Sequence, residues 1–137
     1  MRTNRVRNLE DFKTLADATR YVEQEKGLSH DEAREYIRSH LPHESYYQTK
    51  ILQWLNKQPG VFAWKAAAGP YSRQGIPDIC CVRYGRYYGF EVKRPLIGKP
   101  SKLQLKTIDQ IRAAGGVAEI VTCQREVEVV FLREDER

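Results

Sequence analysis

The sequence predicts an α/β fold with a mixed sheet, and three observations carry that expectation. Residues 79–84 (ICCVRY) and 87–93 (YYGFEVK) are β-branched and aromatic runs separated by Gly85-Arg86, which reads as a β-hairpin. Helical periodicity at 44–57 precedes the hairpin, with a strand-like run at 61–67 between the two. After it, Ser101-x-x-Gln104 opens a helix to Ala114 that bridges to a further strand at 117–123.

Two more helices are expected at the start. Asn8 can cap the first, at 9–26, with Glu10 and Asp11 in its first turn and Phe12, Leu15, Ala16 and Val22 near one face. Gly27 ends it, and the capping box Ser29-x-x-Glu32 opens the second, to about Ser39. A pair this small cannot fold alone, so it must pack on the rest, on a second subunit or on substrate. In the third helix, Glu44, Tyr47, Gln48, Ile51, Leu52 and Leu55 share a stripe, which brings a carboxylate to a buried face where it needs a partner. On the helix of residues 101–114, Leu105, Ile108 and Ile111 form the expected buried side. Residues 124–132 fit a strand through Val127, Val129 and Phe131, or a helix through Val127, Val130 and Phe131. The helix is preferred, with a charged, frayed tail at 133–137.

With 137 residues, 30% charged and 41% hydrophobic, the chain suits one soluble domain. Its net charge of +5 favours a polyanionic partner. Three cysteines, two of them adjacent at Cys80-Cys81, argue against a disulfide framework and for a reducing compartment. No histidine is spaced to complete a zinc site with them. No apolar run approaches about 18 residues, and the opening MRTNR is polar rather than a secretory signal. A cytoplasmic, membrane-free protein is therefore expected.

The chemistry-bearing stretch is Gly75-Ile76-Pro77-Asp78 followed by Glu91-Val92-Lys93. If Gly85-Arg86 is a type II′ turn, Tyr84 faces Tyr87, Cys80 faces Glu91 and Asp78 faces Lys93. Side chains alternate along a strand, so Asp78, Glu91 and Lys93 then share one face, unless a β-bulge intervenes. Two carboxylates beside an ammonium suit a divalent cation and a water to be deprotonated, the machinery of phosphodiester hydrolysis. An isolated E-x-K would more often be a solvated ion pair; the combination with Pro-Asp carries the weight. Ahead of Asp78, Tyr71, Ser72 and Arg73 lie in a polar loop where Arg and Ser can grip phosphate and Tyr can stack on a base. Beyond it, Lys93, Arg94, Lys99, Lys102 and Lys106 crowd together as a basic groove would require.

Glu44-x-x-x-Gln48, Gly75-Ile76-Pro77-Asp78-Ile79, Glu91-Val92-Lys93-Arg94-Pro95 and Gln104 together resemble a VRR-NUC domain, the virus-type replication and repair nuclease of the PD-(D/E)xK superfamily. The resemblance covers about residues 44–123. It implies a restriction-endonuclease-like mixed sheet flanked by helices, with the nuclease domain at 41–137; the N-terminal helical extension at 1–40 is not covered by it. It further implies a Mg²⁺- or Mn²⁺-dependent DNA endonuclease. Asp78, Glu91, Glu44 and the main-chain carbonyl of Val92 would bind metal, Lys93 would orient water, and Gln104 would face the site. Gln104 has a competing task as partner in the capping box. Branched DNA, such as a Holliday junction, is the implied substrate, and phage or bacterial cells the implied setting. Two symmetric cuts need two sites, hence an expected C₂ homodimer. The alternative is a non-catalytic nucleic-acid-binding module on the same fold.

Overall fold

A computed structural model describes residues 8–67 and 69–137, so the opening MRTNR lies outside the described residues. Contacts group the chain into two units: Met1–Pro42 with Arg94–Gly98, and His43–Lys93 with Lys99–Arg137.

In the first unit the expected helix at 9–26 is broken. A 3₁₀ turn at Leu9–Asp11 is capped by Asn8, and α1 (Leu15–Lys26) starts afresh at Thr14, whose hydroxyl accepts the Asp17 N–H at 3.1 Å. Phe12, between them, is extended. Ala16 is exposed, contrary to expectation; Val22 is buried, with Ala18 and Thr19. The Ser29/Glu32 capping box opens α2 (His30–His40) as expected. Ala18, Val22, Ala33, Ile37 and Leu41 form the core, with Leu96 and Ile97 against it. Arg94 donates to the carbonyls of Arg38 (2.7 Å), Leu41 (2.8 Å) and Pro42 (3.0 Å). These are the otherwise orphaned acceptors at the end of α2.

The second unit is a four-stranded sheet in the order β1 (Val61–Lys65), β2 (Ile79–Arg83), β3 (Arg86–Val92), β4 (Val117–Val121). β1–β2 and β2–β3 are antiparallel, and β3–β4 is parallel across α4 (Lys102–Ala113), so the sheet is mixed as expected. One face carries Ala63, Ile79, Cys81, Tyr88, Phe90, Val92, Val117 and Val121. It packs on Tyr47, Ile51 and Leu55 of α3 (Glu44–Leu55) and on Val127, Val130 and Phe131 of α5 (Gln124–Asp135). Phe131 is the hub: its ring stands edge-on to Tyr88 at 5.1 Å and beneath the Arg83 guanidinium at 4.2 Å.

Residues 124–132 are helical, and the reason is legible in burial: Val127, Val130 and Phe131 are buried while Val129 is exposed. Glu126 accepts from the Thr122 N–H and hydroxyl at 2.6 Å each, fixing the helix start. The tail is not frayed. Helix α5 runs to Asp135 because Glu134 and Asp135 hold arginines from elsewhere. On α4 the buried side is Thr107 and Ile108, with Gln104 and Ile111 half-buried; Leu105 is exposed, contrary to expectation.

The hairpin turn is Tyr84-Gly85, one residue earlier than expected. Both residues have positive φ, 47° and 82°, which a type I′ turn requires and which a Gly at its second position eases. The observed pairs are Val82 with Tyr87, Cys80 with Gly89 and Ile79 with Phe90. Each partner has moved by two residues, so every side chain keeps its predicted face. One further step aligns Asp78 with Glu91, not with Lys93.

Since Phe131 joins α5 to the sheet, Phe131→Ala is expected to cost about 3–5 kcal/mol. A fall in the urea midpoint without loss of far-UV helicity before the transition would show it.

Candidate active site

Asp78, Glu91 and Lys93 meet on the sheet face opposite the aromatic core, where α4 covers part of the surface. Glu91 is the buried member, only 1% exposed. Its Oε1 accepts from Gln104 Nε2 at 2.8 Å and lies 3.5 Å from Lys93 Nζ. Its Oε2 is buried and has no hydrogen-bond partner. Asp78 is half-buried, and its Oδ2 accepts the Val92 N–H at 2.9 Å. Each carboxylate thus spends one oxygen on being held, leaving Glu91 Oε2 and Asp78 Oδ1 for other work.

That arrangement raises the Glu91 carboxyl to about 8. Burial is the largest cause, followed by the closeness and charge of the Asp78 carboxyl; Lys93 opposes them. Without a cation, the protonated form of Glu91 is therefore favoured.

Gln104 performs both tasks at once. Its Oε1 accepts the Ser101 N–H at 2.8 Å, completing the capping box, while its Nε2 faces Glu91. The backbone donor fixes which end of the amide is oxygen, so the orientation follows from the bonding. Starting α4 and orienting Glu91 are one interaction.

Two glycines set the approach of the Pro77-Asp78 segment. A Cβ on Gly75, whose φ is +81°, would lie 2.7 Å from Thr107 Oγ1 and 2.9 Å from Leu103 Cγ of α4. A Cβ on Gly89 would lie 2.8 Å from both Pro77 Cγ and the Tyr87 hydroxyl oxygen. Pro77 therefore lies directly on the bare backbone of β3, which sets Asp78 beside Glu91. Sequence reasoning missed Gly89; the signal was a glycine inside a strand.

The remaining predicted residues divide. Ser72 and Arg73 line a cavity of about 170 Å³ that reaches Asp78, with Gln74 and Ile76. Arg73 Nη2 lies 3.5 Å from Gln110 Oε1. Tyr71 is fully exposed and does not line that cavity. Lys99 and Lys102 are exposed. Arg94 corrects the expectation of a phosphate contact, since its guanidinium is committed to the carbonyls closing α2. Glu44 sits in the first turn of α3, with Gln48 Nε2 at 3.4 Å from its Oε1. It does not complete a triad: among the described residues no three His, Cys, Asp or Glu side chains converge as a metal-holding group. The helix dipole and Gln48 give its carboxylate a local partner instead.

No family model and no curated protein matches the sequence. Among solved structures, a chain described as a VRR_NUC domain superposes with a TM-score of 0.54 at 22% identity, over 64% of this chain and 92% of its own. The chain has the VRR-NUC fold. Among the described residues, no helix is long and apolar enough to cross a membrane. In this chain Glu91 lies near the C-terminal end of β3 and beside the start of α4, so the strand, the capping box and the Pro-Asp loop are fixed together.

Two outcomes follow for the metal-free protein. The folded Glu91 binds its proton more tightly than an unfolded glutamate near 4.5, so stability falls as pH rises through the window from about 4.5 to about 8. Comparing urea midpoints in EDTA across that range, Glu91→Gln is expected to remove this slope and to be the more stable form above pH 8. The second concerns the shared amide. Gln104→Ala loses the cap and should cost about 1 kcal/mol. Gln104→Glu keeps an acceptor for Ser101 but turns a carboxylate on Glu91, so its unfolding curve should gain a steeper loss of stability with rising pH than the parent.

Proposed function

We propose that this protein is a metal-dependent endonuclease acting on DNA. The observation that supports it best is the buried, unpartnered Glu91 Oε2 beside Asp78 and Lys93. A buried carboxylate oxygen without a partner is costly unless something occupies its position. A hard divalent cation fits it, because such ions take oxygen ligands and accept a site of two carboxylates and several waters. Asp78 and Glu91 would hold it, with the Val92 carbonyl as a further donor; among the described residues no third carboxylate gathers with them. When bound, Mg²⁺ or Mn²⁺ supplies Lewis-acid polarisation of a phosphoryl oxygen and a more acidic water.

The chain's own groups do the rest. Gln104 and the Val92 N–H keep one oxygen of each carboxylate fixed, so the carboxylates would take up a cation without reorganisation. Lys93 Nζ, anchored 3.5 Å from Glu91, is placed to orient an attacking water and to stabilise charge that develops on the phosphate. Ser72 and Arg73, on the cavity wall next to Asp78, bind the phosphate backbone on the approach side. The net charge of +5 draws a polyanion to the surface. We propose branched DNA as the substrate and a C₂ homodimer as the acting form, since paired cuts need paired sites.

The test is cleavage of a labelled four-way junction, flap, duplex and single strand with Mg²⁺, Mn²⁺ or EDTA. Metal-dependent cutting that drops at least about a hundredfold in both Asp78→Asn and Lys93→Ala is expected. DNA binding without cutting in every metal, unaltered by either change, would leave a binding module in place of the enzyme.

A further inference from the structure

At the other end of β3 four arginines converge: Arg86 opening β3, Arg112 near the end of α4, Arg133 on α5 and Arg137 just past it. Two carboxylates hold them. Glu134, whose side chain is 4% exposed, takes Arg86 Nη1 at 3.1 Å, Arg137 Nε at 3.2 Å and Arg133 Nε at 3.4 Å. Glu119, from β4, takes Arg112 Nη2 and Arg133 Nη1, each at 3.0 Å. The Arg86 and Arg112 Nε atoms also donate to the carbonyls of Gly115 and Ala118. The six side chains surround a concavity of about 390 Å³.

We propose that this concavity is a binding site for a phosphate-class oxyanion, separate from the carboxylate pair and independent of any nuclease activity. The charge balance points that way. Four guanidinium groups face two carboxylates, so two positive charges in the cluster lack a counter-charge; the nearby Asp135 is engaged by Arg83 at 2.8 Å. Burying Glu134 would be costly without partners, and the partners it takes are three planar forks that it fixes in orientation. The arginines remain between 42% and 69% exposed, so N–H groups not committed to the carboxylates are open to a ligand. A preorganised set of forks matches the oxygens of a phosphate better than free lysines would. The same chemistry could serve a phosphodiester of the DNA backbone or a free phosphate. Arg86 lies about 17 Å from Glu91 along β3, a separation of about five base pairs of duplex.

The experiment is a titration of the whole protein with inorganic phosphate in EDTA, read by the Nε–H signals of arginines in nitrogen-15 spectra. Saturable shifts confined to Arg86, Arg112, Arg133 and Arg137 are expected, weakened roughly tenfold in the double variant Arg112→Gln/Arg137→Gln. A parallel arm measures binding of a short duplex across a salt series. A slope lower by about 1–2 in the double variant makes the DNA backbone the source. An unchanged slope with retained phosphate binding assigns the site to a free phosphate. No saturable shift in the unaltered protein, together with an unchanged duplex slope, would overturn the site and leave a structural ion-pair network. Because the first arm needs no variant, a double variant that fails to fold would not blur the result.

Discussion

A carboxylate buried on a sheet face is the constraint around which the second unit is arranged. Glu91 is almost wholly out of water, and removing a charge from water costs several kcal/mol unless partners replace it. One of its oxygens has partners in Gln104 and Lys93; the other has none. The consequence is a group whose charged form is disfavoured and which therefore carries a strong demand for a proton or a cation. A protein that only needed stability would place an apolar residue there, as it does on the opposite face with Phe90 and Val92.

Meeting that demand fixes much else. Gln104 can reach Glu91 only if α4 begins at Lys102, and α4 begins there because the same amide closes the Ser101 capping box. Asp78 can stand next to Glu91 only if Pro77 lies on a strand residue without a side chain, which is Gly89. The loop before it can run under α4 only through Gly75. The local geometry of three segments is thus set by positions whose requirements are steric and independent of the chemistry they support.

This explains what could be read from the sequence and what could not. The helices and strands were legible because their periodicity and capping residues are local, as at Ser29-x-x-Glu32 and Ser101-x-x-Gln104. The common face of Asp78, Glu91 and Lys93 was legible because alternation survives a slip of two residues. The turn itself was not, since Tyr84 at φ 47° is a residue that rarely takes that conformation. What holds it there is tertiary: its N–H donates to the Gly60 carbonyl at 3.0 Å, and its ring covers Gly60. Arg94 was misread for a related reason. In a basic stretch every cation resembles a phosphate contact, and only the position of the α2 carbonyls shows that this one is already occupied. Tyr71, by contrast, stands free at the surface, where spacing alone cannot assign it a partner.

The two ends of β3 present opposite solutions to one electrostatic problem. At its C-terminal end negative groups are crowded and short of positive charge, with a single lysine against two carboxylates. At its N-terminal end arginines are crowded and short of negative charge, with two carboxylates against four guanidiniums. Neither excess helps the fold, because unbalanced like charges held within a few ångströms repel, and surface pairing returns at most about 1 kcal/mol each. Sheet and helices hold both in place through hydrophobic packing on the other face, where Phe131, Tyr88 and Ile51 need no charge at all. The aromatic core thus supplies the stability that lets both ends of one strand carry charge in excess. Such an excess is useful when a ligand of opposite sign completes it, as the proposed cation would at Glu91 and the proposed oxyanion at Arg86.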